Sequence, residues 1–289
     1  MFVIIGATGQ VGSHVAEYLL ERGEPVKIIV RNIEKAQKLS QLGATVHVGD
    51  IDNPLDIESG FKNADAVYLM DPPAYHEPNV EEITRKRMTT LKDAIVHNSV
   101  KKVVVLTSGG VHNRHLDIGN LKYAQIWEDG FKELTMPVTS LRPAWFMENW
   151  TPAIMMAKEN GQFPTMLRCL DRSIPQIAAK DIAKVAADIM ESSWSGFQVV
   201  ELEGPQKYSV LDVTNALSKH LKTDVHLSVI ERDQLPSMLL SINTHPNSID
   251  GWVAMLDFTN DIPQQFEHSE ETVKGSTTID EFISSVLGD

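Results

Sequence analysis

The chain has 289 residues, 42% of them hydrophobic, enough to bury one large core with room for a second, smaller lobe. A formal net charge of -13 opposes phosphate backbones and no local basic patch offsets it, so nucleic-acid binding is not expected. The single cysteine, Cys169, excludes an intramolecular disulfide and a sulfur-rich metal cluster; no apolar run is long enough to span a bilayer, and a cytoplasmic protein without a membrane partner is expected.

Met1–Ile5 predicts an apolar strand that belongs to the core from its first residue, leaving no leader. Gly6-Ala7-Thr8-Gly9-Gln10-Val11-Gly12 follows directly, and Val11, Val15 and Leu19 then recur at helical spacing until Gly23. A strand turning sharply into a helix through glycines lets backbone approach a pyrophosphate at the helix N-terminus, so this is a dinucleotide-binding start. Val26–Val30 is a buried strand, residues 33–42 a helix stopped by Gly43, and Thr45–Val48 a third strand. Asn53-Pro54 opens a short helix, and residues 65–70 form the fourth strand.

Asn79 with Glu82 has the pattern of a capping box, ahead of a helix whose stripe is Val80, Ile83, Leu91, Ala94 and Ile95; Arg85-Lys86-Arg87 is expected on its solvated face. Lys102–Leu106 is the fifth strand, residues 121–134 a helix bearing Trp127 and Phe131, and residues 138–141 the sixth strand. Strand and helix alternation of this kind predicts a doubly wound, parallel α/β sheet of Rossmann type. Past Arg142-Pro143 the alternation blurs and Pro and Met become frequent, which predicts a division into residues 1–150 and a smaller α+β substrate lobe over 151–289, roofing the carboxyl ends of the strands. Within it, residues 181–190 and 209–221 read as helices and 198–203 as a strand, and Thr278 with Glu281 caps a final helix.

The residue ending the second strand selects the coenzyme: a carboxylate accepts from a free ribose, whereas a guanidinium favours a 2'-phosphate. Arg31 holds that position with Lys35 one turn on, so NADP(H) is expected ahead of NAD(H), against the alternative of a plain surface arginine. Asp50 is placed to accept from an adenine amino group with Ile51 on the ring, or else to serve as a loop acid or helix cap; Asp71, Pro72, Thr107 and Ser108 end the strands flanking the nicotinamide side.

With the glycine turn, Arg31, Gly49-Asp50, Asp71-Pro72-Pro73, the segment Leu141-Arg142-Pro143-Ala144-Trp145-Phe146-Met147-Glu148-Asn149 and Gly204-Pro205, the chain resembles the NmrA-like atypical short-chain dehydrogenases/reductases over nearly its whole length. It looks most like the branch of NAD(P)H:quinone oxidoreductases and triphenylmethane reductases, which implies a quinone-like or other aromatic acceptor. The resemblance places Gly6, Thr8, Gly9, Gln10, Val11 and Gly12 at the pyrophosphate, Arg31 and Lys35 at the adenosine phosphate, and Pro143, Ala144, Trp145 and Phe146 near the nicotinamide. Where many relatives carry a lysine four residues before the glutamate corresponding to Glu128, this chain has Ala124.

Short-chain dehydrogenases and sugar-nucleotide epimerases commonly use Tyr-x-x-x-Lys, in which the lysine lowers the phenol pKa. None of Tyr18, Tyr68, Tyr75, Tyr123 and Tyr208 has a lysine four residues later, which disfavours an epimerase; Tyr123 is the remaining weak candidate for a proton donor. Tyr75, His76, Trp145, Phe146 and Trp150, with Tyr123 and Asn149, are expected to form an apolar slot for a flat acceptor, unless they are ordinary packing aromatics. His112, His115 and Asp117 read as a solvated loop, not a metal site. A reductase transferring hydride from NADPH is thus the leading expectation. The rival is a non-enzymatic NADP(H) redox sensor acting through a regulatory protein partner.

Overall fold

Phe2–Ile5, buried at every position, forms β1 in the middle of an eight-stranded sheet, and the structure, a computed structural model, describes residues 1–288. From β1 the chain runs through α1 (Gln10–Glu21), β2 (Val26–Val30), a 3-10 turn (Ile33–Ala36) leading into α2 (Gln37–Gln41), and β3 (Thr45–Val48). It then crosses back through α3 (Pro54–Gly60) to β4 (Ala66–Leu69), α4 (Val80–His97), β5 (Lys102–Leu106), α5 (Lys122–Lys132) and β6 (Val138–Pro143). The sequence expectation of one helix over residues 33–42 is met by two short pieces, the first of them opened by Asn32, which accepts from the Glu34 N–H at 2.8 Å.

The remaining elements are β7 (Trp145–Phe146), α6 (Thr151–Asn160), β8 (Gln162–Thr165), β9 (Ile174–Ile177), α7 (Ala179–Glu191), β10 (Phe197–Glu203), β11 (Lys207–Tyr208), α8 (Val210–Leu221), β12 (His226–Val229), α9 (Leu235–Ser241), α10 (Pro246–Asp261), β13 (Val273–Lys274) and α11 (Ile279–Leu287). The sheet order is β13-β10-β6-β5-β4-β1-β2-β3, with neighbouring strands parallel throughout. The expected sheet of six strands therefore has eight. β10 extends it beside β6, and α7 covers it, because Ala183, Ala186 and Ala187 are small enough to let α7 lie closely against α1. Residues beyond 150 thus contribute both to this sheet and to the lobe above it.

Val15, Leu19 and Ile182 fill one face of the sheet, and Leu91, Ile95, Trp127 and Phe131 the other. A third cluster, with Trp150, Phe163, Leu217 and Phe282, holds the lobe together. α4 starts after Asn79 as expected, yet the Asn79 side chain makes no cap bond; the Thr278–Glu281 capping box is formed. Arg85 and Lys86 are exposed, but Arg87 turns inward and is buried, which corrects the expectation of a wholly solvated basic face.

The sheet order reverses between β1 and β4, which opens a crevice at their carboxyl ends. α10 roofs it: the Tyr75 carbonyl accepts from the His245 N–H at 2.7 Å, and the Pro78 carbonyl from the Asn247 side-chain amide at 3.1 Å. Gly119, at φ 54°, lies so close to α10 that a Cβ there would sit 2.1 Å from the Gly251 carbonyl oxygen. Among the described residues no helix is long and apolar enough to cross a membrane.

Candidate active site

The turn between β1 and α1 depends on its glycines. Gly6 has φ 73°, and a Cβ on Gly12 would lie 2.4 Å from the Gly6 carbonyl oxygen, so any side chain at residue 12 would force helix and strand apart. The helix is capped by Gly9, which makes no side-chain cap bond, and nothing acidic occupies the first turn. The amides of Gln10, Val11 and Gly12 at this helix start suit an anion. Thr8, Gly9 and Gln10 are exposed at its mouth, while Val11 and Gly12 are buried behind it.

Arg31 and Lys35 stand exposed past the end of β2, and neither side chain forms a hydrogen bond or ion pair among the described residues. Asp50 is half-buried and accepts from the Asp52 N–H at 3.0 Å through one carboxylate oxygen, so it shapes its own loop. Ile51, beside it, is 8% exposed and packs in the core with Val3 and Ile5.

Arg87 joins the loops at the ends of β3 and β4. Its guanidinium grips Asp52 with two bonds of 2.7 and 2.8 Å, donates to the Pro72 carbonyl at 2.8 Å and reaches Asp71 at 3.3 Å. Asp71 also accepts from the Thr84 hydroxyl at 2.8 Å; burial nevertheless pushes its carboxyl above the ordinary range, with Thr84 and Arg87 resisting. Hydrogen bonding to Arg87 holds Asp52 below its ordinary value. Replacing Arg87 by Met should destabilise the fold by about 1–2 kcal/mol, less than a fully buried pair because Asp52 is partly exposed. Urea unfolding measures this directly; since Asp52 is depressed, its share of the stability is present above the ordinary carboxylate range and fades as pH falls through the folded value.

Two cavities adjoin at Ser108 and Leu121. The larger, about 400 Å³, runs from Ser108-Gly109 and Pro143–Phe146 under α10 and carries Trp145, Phe146, Asn149 and Trp150 in its lining. Its remaining walls include Met156, Met166, Met238, Trp252 and Met255, which sequence reasoning did not single out. The one available signal was the high frequency of methionine past Pro143. The smaller cavity, about 200 Å³, contains Asp71, Pro72, Tyr75, Thr107, Tyr123 and Ala124.

Tyr75 and Tyr123 therefore face the smaller cavity, not the apolar slot expected for them: α10 interposes Trp252, whose ring meets Tyr75 edge-on at 5.1 Å. His76 lines neither, being exposed beside Glu77. Thr107 is buried, with its hydroxyl donating to the Leu141 carbonyl at 2.9 Å. Burial pushes the Tyr75 phenol up to about 12 and raises Tyr123 as well. Neither phenol is activated as an acid.

Behind the strand ends, Arg142 makes two bonds to Glu128, at 2.8 and 2.7 Å, and one of 2.5 Å to Glu267. Glu128 also accepts from the Ser140 hydroxyl at 2.7 Å, and Glu201 stands 3.7 Å from the same guanidinium. Arg142 is thus the anchor of the Pro143–Phe146 segment, a structural part that the sequence reading noticed only as a motif. His112 is half-buried near this network and His115 is exposed.

A model of the NmrA-like family matches residues 1–283. The chain belongs to the NmrA-like family. Among relatives, the NAD(P)H azoreductase of Xenophilus azovorans is 28% identical over 81% of this chain and 78% of its own length. Quinone oxidoreductase 2 of Escherichia coli strain K12 is 25% identical over 99% of both chains. The solved triphenylmethane reductase of Citrobacter sp., complexed with NADP(H), superposes with a TM-score of 0.80 at 17% identity, over 99% of this chain and 100% of that one, and so shares the fold. The doubly wound α/β fold with its lobe is that of these NmrA-like reductases.

Proposed function

We propose that this NmrA-like protein is an NADPH-dependent reductase whose acceptor, a quinone or another conjugated aromatic, binds in the 400 Å³ cavity under α10. The observation that carries the reading is that this cavity meets the strand ends at Ser108-Gly109 and Pro143–Phe146, on the far side of the β1/β4 crevice from the glycine turn. The kinship with proteins named azoreductase and quinone oxidoreductase supports it. Residues 1–150 supply the coenzyme cradle and residues 151–289 most of the acceptor walls. Gln10, Val11 and Gly12 offer amides to the diphosphate, and Arg31 and Lys35 offer cations to the 2'-phosphate. When bound, NADPH supplies a hydride and leaves as NADP+, and the reduced acceptor takes one proton from solvent.

An electron-poor acceptor needs positioning more than acid catalysis. Trp145 and Phe146 furnish an apolar wall beside the strand ends, and α10 excludes water. The test is NADPH oxidation with a panel of quinones. Turnover is expected, and Tyr123→Phe should change kcat by no more than about twofold because no phenol donates the proton. Coenzyme binding without turnover across the panel would favour a redox sensor with a regulatory partner, a reading that Ala124 and the unactivated phenols support.

A further inference from the structure

We propose, resting on the reductase reading, that this cavity selects acceptors without permanent charge and turns away both anionic and cationic ones. Among the described residues its walls contain no Asp, Glu, Lys, Arg or His; the polar side chains there include those of Ser108, Asn149, Thr165, Thr259 and Gln264, all neutral. Arg168, next in sequence to the lining residue Leu167, stays outside the lining: its Nη2 donates to Asp257 at 2.9 Å, and its Nη1 is buried without a hydrogen-bond partner among the described residues. Asp257 is held in turn by Arg232 at 2.9 Å. Charged side chains of both signs near the cavity therefore stand outside its lining.

A carboxylate entering such a site can escape the cost of desolvation by taking up a proton, but a sulfonate or a quaternary ammonium cannot. The chain's net charge of -13 acts differently, since at long range it repels anions and attracts cations. The two effects therefore separate. Selection by the protein's field would favour a cationic acceptor over an anionic one, whereas selection by the walls disfavours both. Met156, Met166, Met238 and Met255 fit this role, because flexible thioether side chains adapt to flat apolar bodies of different outline.

The experiment compares 2-methyl-1,4-naphthoquinone, 1,4-naphthoquinone-2-sulfonate and a naphthoquinone bearing a trimethylammonium-methyl group. Two readouts are taken: kcat/KM with saturating NADPH, and affinity with NADP+ in its place, from quenching of tryptophan fluorescence, to which Trp145, Trp150 and Trp252 in the lining contribute; no turnover occurs in the second. The neutral quinone should lead both charged ones by about tenfold or more in both readouts, even though the sulfonate is the stronger electron acceptor. Gln264→Lys at the cavity wall, or Met166→Lys if the first misfolds, should raise the sulfonate relative to the neutral quinone. Equal values for neutral and sulfonated quinones, or a lead for the cationic one, overturn the selectivity. Selective quenching without turnover upholds it and overturns the reductase reading instead, and neither quenching nor turnover with any of the three overturns both.

Discussion

Arg142→Met lowers stability by about 3–5 kcal/mol and the apparent melting temperature by roughly 10 °C. Arg142 and Glu128 are 6% and 4% exposed, and the same guanidinium faces Glu267 and Glu201, so its removal leaves carboxylates converging on an apolar side chain. Burial works to lower the pKa of Arg142, yet its carboxylate partners hold it above the ordinary arginine value. Bonding to Arg142 holds Glu267 below its own ordinary value. Glu267 thus contributes stability above the ordinary carboxylate range, and that contribution is lost as pH falls through its folded value. In the variant the sign reverses, because protonation relieves repulsion. Thermal unfolding of the two proteins from neutral pH down through the ordinary carboxylate range should show the gap narrowing as pH falls. A constant gap would mean that lost packing, not charge, sets the cost.

Arg31→Ala weakens NADPH binding by about 10- to 100-fold and leaves NADH binding unchanged. The range is that of a charge-assisted contact to phosphate. Arg31 suits this role because its side chain is exposed and forms no hydrogen bond or close ion pair among the described residues, acting within the fold only at longer range on Asp52, whereas Arg87 and Arg142 are committed to carboxylates. Arg31→Lys should keep part of the preference, since an ammonium retains the charge but loses the fork. Equal loss for both coenzymes would place the damage in the loop and not in phosphate recognition.

The doubly wound sheet was legible because parallel strands buried on both faces leave continuous apolar runs such as Phe2–Ile5 and residues 103–106, punctuated by glycine. The strand β10 was visible too, but its return to the main sheet was not, since pairing partners across long crossovers leave no local mark. α10 escaped detection for a different reason. It is amphipathic toward two neighbours at once, with Trp252 and Met255 on the cavity and Val253 in a cluster with Leu235 and Leu239, so no single stripe emerges. Tyr75 and Tyr123 were assigned to the apolar slot by residue type, and only the position of α10 separates them from it. Arg87 read as solvated because Arg85 and Lys86 beside it are; the acids that draw it inward, Asp52 and Asp71, lie far away in sequence.

The account rests on coenzyme capture by the glycine turn and on recognition of its extra phosphate by Arg31, and titration calorimetry of the folded protein measures both at once. It predicts saturable heat with NADPH, and with NADH an affinity weaker by about tenfold or more. Absence of heat with either coenzyme would contradict the account at its base.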